Sequence, residues 1–304
     1  MVIKTADNES AKHRNNLLRK GLFSDLWILG KPRITGMVLL STAVGYLLGG
    51  RMVVDGWLLS HLLLATWLLG SGVNALNQYL ERDTDALMTR TKDRPLPSKR
   101  MRPMTVVLYG LAASLAGIAL LATWTNDLAT MAGILVVVSY VAIYTPLKRL
   151  SPFNTWFGSI PGAVPPLLGW VAASGTLDLE AWALFLILFC WQPTHFMPIA
   201  YKYKDEYKRA GLAMLTLHEQ ERAKRVMILY TVVLIPLSVY PAVLGLVGDV
   251  YVVFALLLGV GFLSSAVAHG RNPSQKTAMM HLKVSVIYLP LLLGLMLFDL
   301  KEIT

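Results

Sequence analysis

The sequence predicts an all-α integral membrane protein built from nine spanning helices. Three observations lead there. Of 304 residues, 55% are hydrophobic and only 15% charged, more apolar surface than a water-soluble chain of this size can hide. The apolar residues gather in runs of roughly 20, the length that spans hydrocarbon as a helix. The runs also lack the polar/apolar alternation of a barrel strand, and helices satisfy their own backbone inside lipid.

Taken in order, the runs fall near 34–54, 57–77, 104–124, 127–147, 155–175, 180–201, 226–247, 249–269 and 280–298. They form one domain over 26–304, after a polar segment 1–25 whose charges are mixed (Asp7 and Glu9 beside Lys4, Lys12 and Arg14). That segment has neither the pattern of a cleaved secretory signal nor the acid-poor composition of a mitochondrial leader, which points to a bacterial inner membrane. Cys190, the single cysteine, sits inside an apolar run and reads as a small buried residue; no intrachain disulfide or cysteine metal site can form.

The net charge of +10 invites a nucleic-acid reading, and its distribution removes it. Of 28 Lys and Arg, only Arg51 and Lys301 fall on the side of the loops after spans one, three, five and seven; the other 26 fall opposite. The positive-inside rule then predicts a cytoplasmic N-terminus and an outer C-terminus. On the cytoplasmic side two segments, 78–103 and 202–225, are long at about 25 residues each, and such loops on a rigid scaffold are where chemistry concentrates.

In the first, Asn77, Glu81 and Asp85 recur at i, i+4, i+8 and share one helix face, with Asn74 in the same arc. Oxygen donors on one stripe suit a hard cation such as Mg²⁺, which takes a few carboxylates and shares the rest of its shell with water and phosphate. A solvated helix end with ordinary i,i+4 pairs is the alternative. The basic run Arg90, Lys92, Arg94 follows at once, with Pro95 and Pro97 fixing an extended loop. Guanidinium forks and an ammonium suit phosphate oxygens, though basic loops also simply mark topology. An acid stripe followed by a basic loop is what a metal–diphosphate ligand needs.

In the second, Pro193 and Pro198 flank His195 inside the sixth span, freeing backbone groups at membrane depth. A histidine there is a functional candidate or a hydrogen-bonded structural residue. Asp205 offers a further carboxylate to the metal and Lys204 a phosphate contact. Lys148 and Arg149, between the fourth and fifth spans, either close this site or mark topology.

These segments resemble the UbiA superfamily of membrane prenyltransferases. The superfamily's first aspartate-rich motif maps onto Asn77, Gln78, Glu81 and Asp85, with an amide at Gln78 and the longer acid at Glu81 in place of aspartates. The stretch from Asn74 to Pro97 is similar to the heme O synthase branch, the protoheme farnesyltransferases. So are Lys31-Pro32-Arg33, Tyr144-Thr145 with Lys148-Arg149, Gly162 to Trp170, and Trp191-Gln192-Pro193 with His195-Phe196. Two departures stand out. The family's Pro-Met-Leu-Pro after a glycine is here Leu212-Ala213-Met214-Leu215-Thr216, and its Pro-His-Phe-Trp is Thr194-His195-Phe196-Met197.

The resemblance implies nine helices around a central cavity open to the cytoplasmic side. It implies farnesyl diphosphate and protoheme as substrates, protoheme not being a cofactor, with heme O and diphosphate as products. Asn77, Glu81, Asp85 and Asp205 would serve Mg²⁺. Arg90, Lys92, Arg94, Lys148, Arg149 and Lys204 would hold diphosphate. Asn74 and His195 would be catalytic, Asn74 beside the diphosphate and His195 against the heme. Heme A synthase or a terminal oxidase assembly would be the neighbours in the bilayer. A quinone-precursor acceptor is the nearest rival. A transporter is disfavoured because no Asp or Glu lies deep in a run.

Overall fold

The computed structural model describes residues 21–301 and is helical throughout its long elements. Residues 1–20 of the predicted N-terminal segment lie outside the described residues; its far boundary falls within the first helix, α1 (Leu22–Leu29). Then come α2 (Pro32–Gly49), α3 (Gly56–Leu80), the short α4 (Arg82–Ala86) and α5 (Pro103–Trp124). A rod of α6 (Asp127–Val137), a π segment (Val138–Tyr144) and α7 (Thr145–Leu150) leads to α8 (Asn154–Ser174) and α9 (Leu179–Lys202). Short α10 (Lys204–Arg209) and α11 (Leu215–His218) precede α12 (Gln220–Val243), α13 (Asp249–Arg271) and α14 (Gln275–Phe298).

Every predicted apolar run falls mainly on one of these helices, the fourth on the α6–π–α7 rod. Seven are long and apolar enough to cross a membrane; α2 and α8 are not among them. The reason is compositional. The α8 helix carries Asn154, Thr155, Ser159 and three prolines and buries most of its length, and α2 carries Arg33, Thr35, Ser41 and Thr42. The α8 helix faces protein more than lipid, whereas α2 still exposes Ile34, Met37 and Leu40. The first run overshoots its helix: α2 stops at Gly49, and Arg51 and Met52 turn left-handed before α3.

Ends are set locally. Asp55 caps α3 by accepting from the amides of Trp57 and Leu58 at 2.9 and 3.1 Å. Asn126 caps α6 through Ala129 at 3.0 Å, and Ser274 and Thr277 form a capping box on α14. Pro32 and Pro103 open α2 and α5, where a missing N–H costs nothing.

Apolar side chains on both sides of a helix leave no hydrophobic drive between helices in lipid, so close packing of small residues must hold them. The tightest pairs are α3 with α5 and α2 with α8. A methyl on Gly45 would run into the Pro166 carbonyl, and one on Gly169 into the Thr42 carbonyl, so these two backbones approach as only glycine allows. Outward faces keep Leu115, Met131, Leu257 and Ile287 more than half exposed, as lipid contact requires.

The two long segments are folded caps rather than open loops. Met88 of the first packs with Tyr207, Ala210 and Leu212 of the second, and Leu96 and Met101 pack with Leu29, Ala75 and Val106. Arg100 fastens the first segment to α1 by a buried pair with Asp25 at 2.9 Å. After α10, Gly211 takes φ +66° and the Leu212 amide reaches back to the Tyr207 carbonyl at 3.0 Å, a Schellman-type stop that needs the left-handed region.

Candidate active site

Helix α3 ends at Leu80, and Asp85 rides on the separate α4. The stripe nonetheless keeps its register. The Glu81 amide donates to the Asn77 carbonyl at 2.9 Å and the Asp85 amide to the Glu81 carbonyl at 2.7 Å, so three oxygen-bearing side chains still share a face across the junction.

Each member of that stripe meets a base. Lys31 Nζ donates to Asn77 Oδ1 at 2.9 Å, Lys148 Nζ to Glu81 Oε1 at 2.6 Å, and Arg94 to Asp85 Oδ2 at 2.7 Å. The other side of Asn77 donates to Thr145 Oγ1 at 3.2 Å, whose proton goes to the Tyr140 carbonyl in the π segment. Lys148 also sits 4.4 Å over the Tyr144 ring. Six groups from four stretches of chain thus interleave acid and base at one end of the bundle.

Burial and charge compete here. Burial first, then the neighbouring Arg94, pulls the Lys31 ammonium down to about 7. Burial pushes the Glu81 carboxyl up, but Lys148 and Lys31 outweigh it and leave it below its ordinary value. At Asp85 burial wins over Arg94, and the carboxyl is raised. Its Oδ1 is buried with no hydrogen-bond partner. An orphaned carboxylate oxygen beside Asn77 and Glu81 is a donor set that fits a hard divalent cation.

The remaining predicted residues are placed around this centre or away from it. Asn74 lies one turn back with its amide on the Gly30 carbonyl at 3.3 Å and Thr35 Oγ1 at 3.4 Å, pinning the α1–α2 turn. Arg90 bridges the two caps: its amide meets Glu206 at 3.4 Å, its guanidinium meets Tyr207 Oη at 3.4 Å, and it lies over Tyr203. Lys204 sits over the Tyr201 ring, while Lys92 and Arg149 are exposed on the same end of the bundle. Asp205 is exposed on α10, and among the described residues no three His, Cys, Asp or Glu side chains converge as a metal cage. Glu206, not Asp205, turns toward the first cap. His195 lies away from the acids, against Ser285 of α14 at 2.8 Å.

Lys31 is the site residue that sequence reasoning left out. Its signal was the Lys31-Pro32 pair: a base, left-handed here (φ +47°), directly before the proline that starts α2. The departure after Gly211 also gains a meaning. The Ala213 amide donates to the Lys148 carbonyl at 2.8 Å, a bond that a proline at this position could not make.

Acid and base interleaved at one end of an apolar helical bundle define a membrane enzyme that handles an anionic head on an apolar tail. The chain belongs to the UbiA prenyltransferase family, whose model matches residues 38–287. It is 43% identical over 283 residues to a protoheme IX farnesyltransferase of Solibacter usitatus, covering 89% of this chain and 97% of that one. A protoheme IX farnesyltransferase of Anaeromyxobacter dehalogenans is 39% identical, over 88% and 89% of the two chains. Among solved structures, one described for digeranylgeranylglyceryl phosphate synthase in membranes superposes with TM-score 0.79 at 16% identity, over 91% and 98% of the two chains. A UbiA homologue from Archaeoglobus fulgidus bound to DMAPP and Mg²⁺ superposes with TM-score 0.64 at 17% identity, over 90% and 99%. At such identities the likeness is one of fold.

Proposed function

We propose that this chain transfers the farnesyl group of farnesyl diphosphate to a vinyl group of protoheme, with addition of water, giving heme O and diphosphate. The observation that carries the reading is the interleaving of Asn77, Glu81 and Asp85 with Lys31, Lys148 and Arg94 at one end of an apolar bundle. Similarity to protoheme farnesyltransferases supports the acceptor.

Asn77, Glu81 and the orphaned Asp85 Oδ1 would hold Mg²⁺, which when bound neutralises charge on the diphosphate. Lys31, Arg94 and Lys148, now paired with the acids, would give their donors to phosphate oxygens. Arg90 would do so at the seam of the two caps, with Lys92, Arg149 and Lys204 adding field around the entrance. As the C–O bond of the farnesyl carbon breaks, its electron pair leaves with diphosphate. The vinyl π pair of protoheme forms the new C–C bond, and water adds to the resulting cation and loses a proton. Apolar walls hold the tail and keep other water from the allylic cation. Asn74 braces Gly30 and Thr35 so that Lys31 stays against the stripe.

In this reading α2 and α8 complete nine crossings around a central cavity, with the N-terminus and the site on the cytoplasmic side of a bacterial inner membrane. Heme O would pass through the bilayer to a heme A synthase or terminal oxidase. The test is incubation of the purified protein with protoheme, farnesyl diphosphate and Mg²⁺, followed by mass analysis of the heme extract. A product heavier by one farnesyl and one water supports the reading; unchanged heme from folded protein refutes it.

A further inference from the structure

The second cap ends on a small cavity that the acid–base site does not use. It measures about 20 Å³, and Tyr201 of α9, Thr216 of α11, Gln220 and Lys224 of α12 and His269 of α13 line it. Gln220 and Lys224 stand at i and i+4, so one face of α12 presents both. Room for a water begins at about 10–15 Å³, so this space suits a small ion and excludes anything the size of a ring system.

Its walls carry unused hydrogen-bonding groups. The Thr216 hydroxyl is buried without a partner, on a residue only 5% exposed. A buried hydroxyl left unpaired is a cost to folding that a ligand oxygen removes. His269 is buried, with Nδ1 2.9 Å from Thr277 Oγ1 and its ring edge-on to Tyr201. Among the described residues nothing bonds its Nε2. No side chain among them caps α12 either, and its leading amides keep free donors at the positive end of the helix dipole. Lys224 adds a full positive charge. It leans on Glu221 at 2.5 Å, but Glu221 is three-quarters exposed, and so loose a surface pair yields readily to a buried anion.

We propose that this cavity is an anion site separate from the diphosphate centre, and that it takes a terminal phosphate group, free or at the head of a lipid. The phosphate oxygens accept from Thr216 Oγ1, Lys224 Nζ and the first amides of α12. His269 Nε2 completes the shell, accepting from a singly protonated phosphate or, once protonated itself, donating to the dianion. The small volume admits the phosphate alone and leaves any lipid tail outside. Bound there, the anion ties α11 to α12 and α13 and so fastens the second cap. None of Lys31, Arg94 or Lys148 takes part, and the site does not depend on which acceptor the enzyme uses.

The purified full-length protein is titrated with inorganic phosphate by calorimetry, with thermal unfolding followed in parallel. It is then placed in phosphatidylcholine nanodiscs with and without phosphatidic acid. Phosphate is expected to bind wild type and raise its unfolding midpoint. Thr216→Val and Lys224→Met should each weaken that binding roughly tenfold or more and lose the rise in midpoint. Without phosphate, Thr216→Val should unfold at or above the wild-type midpoint, because it removes an unpaired buried hydroxyl; a merely structural threonine would lower it. Lys148→Met, which alters the acid–base site, should keep the phosphate-dependent rise. Phosphatidic acid that raises the midpoint and blocks inorganic phosphate identifies a lipid headgroup as the ligand. Phosphatidic acid without effect, beside bound inorganic phosphate, identifies the free ion. Wild type that binds neither would overturn the proposal and leave the cavity to water. So would phosphate binding that survives in Thr216→Val and Lys224→Met but vanishes in Lys148→Met.

Discussion

Replacing Asp85 by asparagine should cost turnover without costing stability. Its carboxylate is 2.7 Å from Arg94, a pair whose gross attraction is about 6 kcal/mol at an effective dielectric of 20 and about 1.5 in water. Desolvation is larger still, because the carboxyl is raised above its ordinary 3.8 despite the guanidinium. The charged form is therefore a net cost to folding, and Arg94, about a quarter exposed, can turn to water when the charge goes. The substituted amide keeps the volume and one acceptor. The unfolding midpoint of the variant should lie at or above wild type near pH 7. As pH falls toward the raised carboxyl value, wild type takes up a proton more readily folded than unfolded and should gain on the variant. Turnover should fall at least about 10²–10³-fold, the ~3–4 kcal/mol scale of one lost electrostatic contact at a reacting charge. The assay is heme O formation by mass, with thermal unfolding in the same detergent across pH 4–8. A variant several kcal/mol less stable, or one with near-normal turnover, would refute the reasoning.

Lys31, held near 7 by burial, must gain a proton to meet a diphosphate. Above that pH wild-type affinity for farnesyl diphosphate should fall, by up to about tenfold per unit, relative to Lys31→Met; parallel titrations of the two by calorimetry between pH 6 and 9 check it. Glu81 has the opposite stability sign to Asp85. With its folded value lowered, its contribution is full above the ordinary 4.5 and lost on acidification below it, so denaturation curves of wild type and Glu81→Gln should converge there. Lys148→Met leaves Glu81 without its 2.6 Å partner and should lower both turnover and the unfolding midpoint, separating it from Asp85→Asn. Gly45→Val drives a side chain into the Pro166 carbonyl and should destabilise the α2–α8 pair by about 1–3 kcal/mol, read as a lower unfolding midpoint.

The sequence alone determined the solvent and the scaffold. Runs of about 20 apolar residues can only be lipid-spanning helices, so α3, α5, α9 and α13 were placed within a few residues before any packing was known. It also determined the acid stripe, because helical register is a local property and survives even the break at Glu81. Which base meets which acid was decided only in three dimensions. Lys31 lies 46 positions from Asn77 and Lys148 lies 67 from Glu81, and no periodicity links such pairs. The two long segments read as loops because their Pro, Lys and Asp content hides the few apolar residues, Met88, Leu96, Met101 and Leu212, that fold them into caps. The sequence reading chose Asp205 as the site carboxylate, and the direction of α10 brings Glu206 instead to the Arg90 seam. The partner of His195 was likewise invisible: Ser285 lies 90 residues away, and only the packing of α14 against α9 brings its hydroxyl within 2.8 Å.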